Sequence, residues 1–156
     1  MRPAPPTEEE REQATRERER QQQEAEEQER EKARLQAEKA SLQARVRQLR
    51  QAYASVDEIR EQRDRRVAMV ANILALSERQ EETLQRERER IAEQIKKAAP
   101  DSKNLERYQA ELVDLERRLL REHASQDRQR AMLEEIRSTA EADIRDYELY
   151  VTPSRH

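Results

Sequence analysis

The side chains that could do chemistry here are few in kind and far apart in sequence. His123 lies within a helical stretch beside Glu122 and Asp127. One imidazole among surface carboxylates falls short of the three or four ligands that a protein metal site needs, so a solvated histidine is expected. His156 is terminal and adds nothing. Ser41, Ser77, Ser125 and Ser138 have no His or Lys placed to activate a hydroxyl. The chain has no Cys, which excludes a thiol nucleophile, a disulfide and a Cys-ligated zinc. It has no Gly, and no His-Glu-x-x-His, EF-hand loop or phosphate loop can be written on it. Carboxylates are abundant, but on Glu/Arg helices they are expected to be solvated. The expectation is a protein that is not an enzyme, with no catalytic, cofactor-binding or metal residues and no cofactor.

Arg60, Arg63, Arg65 and Arg66 form a basic cluster, interleaved with Glu58, Glu61 and Asp64. Ion pairing within and between helices is the expected role, and a phosphate or acidic partner is the alternative. The four tyrosines, Tyr53, Tyr108, Tyr147 and Tyr150, do not form a stacking platform for single-stranded nucleic acid. Thirty-two basic against 35 acidic side chains give a net charge of -3, so nucleic acid is not an expected partner.

The elements that carry these residues must be helices. Without Gly, tight turns and hairpins lose their usual residue. A composition dominated by Glu, Arg, Gln, Ala and Leu, 43% charged, is that of long helices and coiled coils. Residues 1–7, with three of the five prolines, and residues 151–156 are expected to be disordered tails. Thr7 can cap a helix that Pro5 and Pro6 keep from starting earlier. Residues 8–34 offer only Ala14, Ala25 and Ala33 for burial and read as a charged single helix or linker. Glu12–Arg16, Glu26–Arg30, Glu17–Arg20 and Glu31–Arg34 are spaced to pair along it, each for about 0.2–0.5 kcal/mol.

Residues 35–150 form the expected coiled-coil domain. Leu35, Leu42, Val46, Leu49 and Tyr53 make a heptad seam that Lys39 breaks once. Ala54–Ser55 is a turn, with Ser55 and Glu58 forming a capping box. A second helix runs from Val56 to about Ala98, roughly 65 Å at ~1.5 Å per residue. Pro100 ends it, and Asp101 or Ser102 should cap a third helix. That helix carries Leu105, Tyr108, Leu112, Leu115 and Leu119, then a polar gap at Glu122, Gln126 and Gln129. Its seam resumes at Leu133, Ile136, Ala140, Ile144 and Tyr147, and fraying is expected near 149–152.

The most apolar stretch is Val67–Leu76, interrupted only by Asn72. It is too short to span a membrane. A helix apolar on every face should be covered from more than one side; the alternative is an exposed patch that binds a partner. Folding at the two turns brings Leu112 near Ile91, Leu133 near Met69, Ile144 near Ile59, and Leu35 near Ile73. Val67–Leu76 would then be the core, with Val70 and Ile73 buried and the seam thin beyond Ser77. The fold class is all-α: an elongated antiparallel three-helix coiled coil with a solvated N-terminal helical extension.

Two stretches carry a resemblance. Residues 53–66, Tyr53-Ala-Ser55-Val-Asp-Glu58-Ile59-Arg-Glu-Gln-Arg63-Asp64-Arg65-Arg66, look like the helix-turn-helix entry of the helical C-terminal tail in uncharacterised proteobacterial envelope proteins with an N-terminal domain of unknown function. Asp143-Ile144-Arg-Asp-Tyr147-Glu-Leu149 is similar to the end of that tail. The resemblance covers about Leu49 to Leu149 and implies an envelope-associated, periplasmic helical protein with no known activity. The residues themselves show no apolar leader in MRPAPPTEEE, from which a cytoplasmic chain or a piece of a longer one is expected. The expected function is a structural or scaffold coiled coil mediating protein–protein interaction, with a protein partner or self-association, no membrane insertion and no small-molecule ligand. A chaperone- or adaptor-type module gripping a client along its helices is the alternative.

Overall fold

The computed structural model describes residues 2–153; Met1 and residues 154–156, which include His156 and parts of both expected tails, lie outside it. The fold is all-α. Three long helices, α1 (Glu8–Ala52), α2 (Val56–Lys97) and α3 (Leu105–Asp146), are followed by a π-helical turn, Tyr147–Val151. No strand occurs among the described residues. The chain divides into two compact units, Met1–Gln51 and Ala52–His156.

In the first unit, α1 starts at a reciprocal cap. Glu10 N–H donates to Thr7 Oγ1, and Thr7 N–H donates to Glu10 Oε2, both at 3.3 Å. Two backbone donors at the helix start are thereby satisfied. Glu12–Arg16 and Glu26–Arg30 close at 3.8 Å, and Glu31–Arg34 is shorter. Every residue from 8 to 44 is exposed, including Leu35 (54%) and Leu42 (40%), which the sequence places in a packed seam. Leu49 is buried.

The second unit is an antiparallel hairpin of α2 and α3. Ser55 caps α2, accepting from Glu58 N–H at 3.2 Å from an extended backbone. The Glu58 carboxylate returns to the N–H of Ala54 (2.7 Å) rather than to that of Ser55. α2 stops at Lys97, ahead of Pro100. Neither Asp101 nor Ser102 is the cap of α3. Asn104 holds that position without a side-chain bond, while Ser102 Oγ accepts from Asn104 N–H at 3.3 Å inside the turn. The expected fraying after Asp146 is instead a π-helical turn, closed by Thr152 N–H on Tyr147 O at 2.9 Å.

The buried residues of α2 are Ile59, Val70, Ser77, Leu84 and Ile91. After the first step of eleven, the steps are seven, so one seam faces α3 along most of the length. Leu84, Ile91, Leu115 and Leu119 form the apolar cluster, with Ile95, Tyr108 and Leu112 packed against it. The contact of Leu112 with the Ile91 cluster agrees with the register read from the turn.

The location of the core differs from expectation. Val67–Leu76 is not covered on all faces. Val70 is buried (6%), whereas Met69 (66%), Ile73 (48%) and Leu76 (62%) are exposed. The clustered core lies beyond Ser77, in the half whose seam looked thin. Few apolar residues suffice there, because each sits at the one angular position that faces the partner helix.

Candidate functional site

Between the apolar cluster and the first turn, the seam of the hairpin becomes polar. Ser77 on α2 and Gln126 on α3 occupy seam positions and are buried, at 7% and 3%. Ser77 follows Val70 and precedes Leu84 by one heptad each, and Gln126 follows Leu119 by one heptad. Helix geometry therefore turns both inward whatever their polarity. A buried polar group without a partner costs about 1–3 kcal/mol, so partners must come from the flanking positions.

They do. Ser77 Oγ donates to Glu122 Oε2. Gln126 Nε2 donates to Glu81 Oε2 at 2.8 Å, and the other oxygen of Glu81 meets His123 Nε2. Arg130 closes the outer edge on Glu78 (3.8 Å) and on Asp127 of its own helix (3.6 Å). The Gln126 hydrogen bond is the main cause holding the Glu81 carboxyl below its ordinary value. The His123 bond adds to it, partial burial opposes it, and the charges of His123 and Arg130 contribute less. Among the described residues, no buried side-chain N or O lacks a hydrogen-bond partner.

His123 is thus not merely solvated: its ring is half exposed, with one nitrogen on Glu81. The apparent polar gap divides similarly. Glu122 and Gln126 turn inward and bond across the hairpin. The signal for this layer was in the sequence: two seven-residue steps, one on each helix, each landing on a polar residue at the same level of the folded register.

Ser77 Oγ is bonded to a carboxylate and not to the imidazole, so the layer itself holds no nucleophile–His pair. The neighbouring backbone N–H groups lie in helix interiors, bonded to the preceding turn, and cannot serve as oxyanion donors. Among the described residues, no group of three or more His, Cys, Asp or Glu is arranged to hold a metal ion. Ser41 and Ser138 are exposed, and Ser125 is half-buried on α3.

A second polar cluster locks the first turn to the end of the hairpin. Tyr147, 4% exposed, donates its hydroxyl to Ala54 O at 2.9 Å and approaches Tyr53 O at 3.4 Å. Tyr53 in turn donates to the buried Asp143 at 3.2 Å. Each phenol thereby satisfies its one polar atom, Tyr147 with its ring buried and Tyr53 with its ring half-buried. The basic cluster is largely occupied locally. Arg60 pairs with Asp57 (3.2 Å), Arg63 with Asp64 (3.0 Å) and Arg65 with Glu61 (3.7 Å). Arg66 lines a groove with Met69, Val70, Met132 and Ile136.

No family model, curated protein or solved structure matches this chain. No helix among the described residues is long and apolar enough to cross a membrane.

Proposed function

We propose that this chain is a non-catalytic coiled-coil scaffold that mediates protein–protein interaction. The observation that carries this reading is the polar layer. Ser77, Glu81, Glu122, His123 and Gln126 spend their polar atoms on one another across two helices. Groups bonded in this way fix the register of a rigid hairpin rather than wait for a substrate. Buried polar residues in coiled-coil seams have this role elsewhere, specifying alignment at a cost in stability. Residues 49–149 resemble the tails of proteobacterial envelope proteins, which supports placing the scaffold in that compartment. Chemical cross-linking of the full chain in its host, read by mass spectrometry, is the test. Cross-links to a protein, or between two copies of the chain, are expected. Intramolecular cross-links alone would sink the reading.

One observation favours an adaptor-type module that grips a client instead. Met69, Ile73 and Leu76 lie on one face of α2 at spacings of four and three, all exposed, with Met132 exposed on α3. Methionine-bearing surfaces adapt to varied apolar partners. On that reading, serine at Met69, Ile73 and Leu76 would abolish capture of clients while the hairpin stays folded. On the scaffold reading, the cross-linked partners are unchanged by those substitutions.

A further inference from the structure

We infer that the groove between α2 and α3 takes residues 28–42 of α1 from a second copy of this chain, an inference that rests on the scaffold reading and names the partner. The groove has a volume of about 470 Å³. Ile59, Val70 and Ala140, all buried, line its depth together with half-buried Ile136, and the exposed Met69 and Met132 line it from opposite helices. Arg66 on α2 and Glu135 on α3 also line it and are exposed, so it carries a positive charge on one side and a negative charge on the other. Among the described residues, neither Arg66 nor Glu135 has an ion-pair partner. An apolar groove of this kind accepts the apolar face of a helix.

The charges on either side of the Leu35–Leu42 stripe match that groove. The two leucines are exposed and seven residues apart, on one face of α1. At about 100° per residue, Glu31 and Glu38 border that face on one side, and Lys32 and Lys39 border it on the other. Glu31 is paired only with Arg34 of its own helix. Glu38, Lys32 and Lys39 have no ion-pair partner among the described residues. With its leucines over Val70 and Ile136, the helix can lie along the groove in two directions. Running antiparallel to α2, its right-handed twist puts the glutamates beside Arg66 and the lysines beside Glu135. Running the other way, it puts lysine beside arginine and glutamate beside glutamate. Complementary charge therefore selects both the occupant and its direction. The stripe ends at Leu42, so half-buried Arg45 and Val46 and buried Leu49 take no part. Leu35, Leu42, Met69 and Met132 are all exposed within one chain, which leaves both faces open to a second copy. A two-fold axis lets each copy give one α1 and receive one, the exchange of identical elements that makes a dimer. Ile73 and Leu76 do not line the groove. Serine at Met69, Ile73 and Leu76 leaves Val70, Met132, Ile136 and both charges in place, so it weakens the pair without changing the partner.

Sedimentation equilibrium of the full chain at low salt is the first test, with a concentration-dependent dimer expected on the order of 100 µM or below. Two charge variants follow, each at exposed positions: Glu38→Arg with Lys39→Glu on the arm, and separately Arg66→Glu with Glu135→Lys on the groove. Each variant alone should lose at least tenfold in dimer affinity with its helicity unchanged. An equimolar mixture of the two should recover the parent affinity as a one-to-one pair. In that pair the reversed arm meets the reversed groove, and the parent arm meets the parent groove. A monomer at every concentration would overturn the inference. So would a dimer that both variants leave intact, or one that they weaken and mixing does not restore. In each of those cases the scaffold reading still stands if cross-linking in the host finds another protein, and it fails only if that experiment also finds no partner.

Discussion

At the scale of single residues, Gln126 shows how a seam position overrides side-chain type. A heptad step places it inside, and its amide N–H then finds Glu81 at 2.8 Å. Gln126→Ala removes the donor and leaves a partly buried carboxylate under-bonded, so a loss of about 1–3 kcal/mol is expected in urea unfolding at neutral pH. The acid response should change as well. Glu81 titrates lower in the folded chain than in the unfolded one. Its contribution is therefore present above the ordinary carboxylate value and lost as pH falls through the lowered one. Without Gln126 that lowering shrinks, so the variant should lose less of its remaining stability than the parent between neutral pH and about pH 3. An equal or steeper acid loss in the variant would mean that Glu81 is not held by Gln126.

At the scale of elements, much of the architecture was legible. Thr7, Ser55 and Pro100 mark helix boundaries through local chemistry that needs no neighbour. The turn at 98–104 follows from them, and with it the register that brings Leu112 to Ile91. The site was half legible. His123, Glu122 and Gln126 could be singled out, but their bonds to Glu81 and Ser77 exist only after the hairpin folds. The core was misplaced for a related reason. Apolar density in Val67–Leu76 states how much surface would gain from cover, while the arrangement of helices decides how much is covered. One partner helix covers one face, and that face holds Val70. Val70→Asp should therefore bury an unpaired charge and cost roughly 3 kcal/mol or more. Ile73→Asp, at an exposed position, should shift stability by less than about 1 kcal/mol. Chemical denaturation of both variants checks this, and equal losses would show that Ile73 is covered after all.

At the scale of the whole molecule, the two units draw stability from different sources. The hairpin has a continuous seam, an apolar cluster and a satisfied polar layer. Residues 8–34 have alanine methyls and exposed ion pairs such as Glu12–Arg16 and Glu26–Arg30. Apolar burial stabilises by about 25 cal/mol per Å², and these residues bury almost none. Exposed pairs contribute about 0–1 kcal/mol each and fade with salt. Backbone hydrogen bonds of a solvated helix open locally, without unfolding the rest. Hydrogen exchange should accordingly be fast across residues 8–34 and slow around Leu84, Ile91, Leu115 and Leu119. Deleting residues 1–30 should move the melting temperature of the remainder by less than about 3 °C, since ~0.5 kcal/mol shifts a domain of this size by no more than that. A drop of many degrees would mean that residues 1–30 supply packing to the rest of the fold, and the division of labour between a solvated arm and a rigid hairpin would fail.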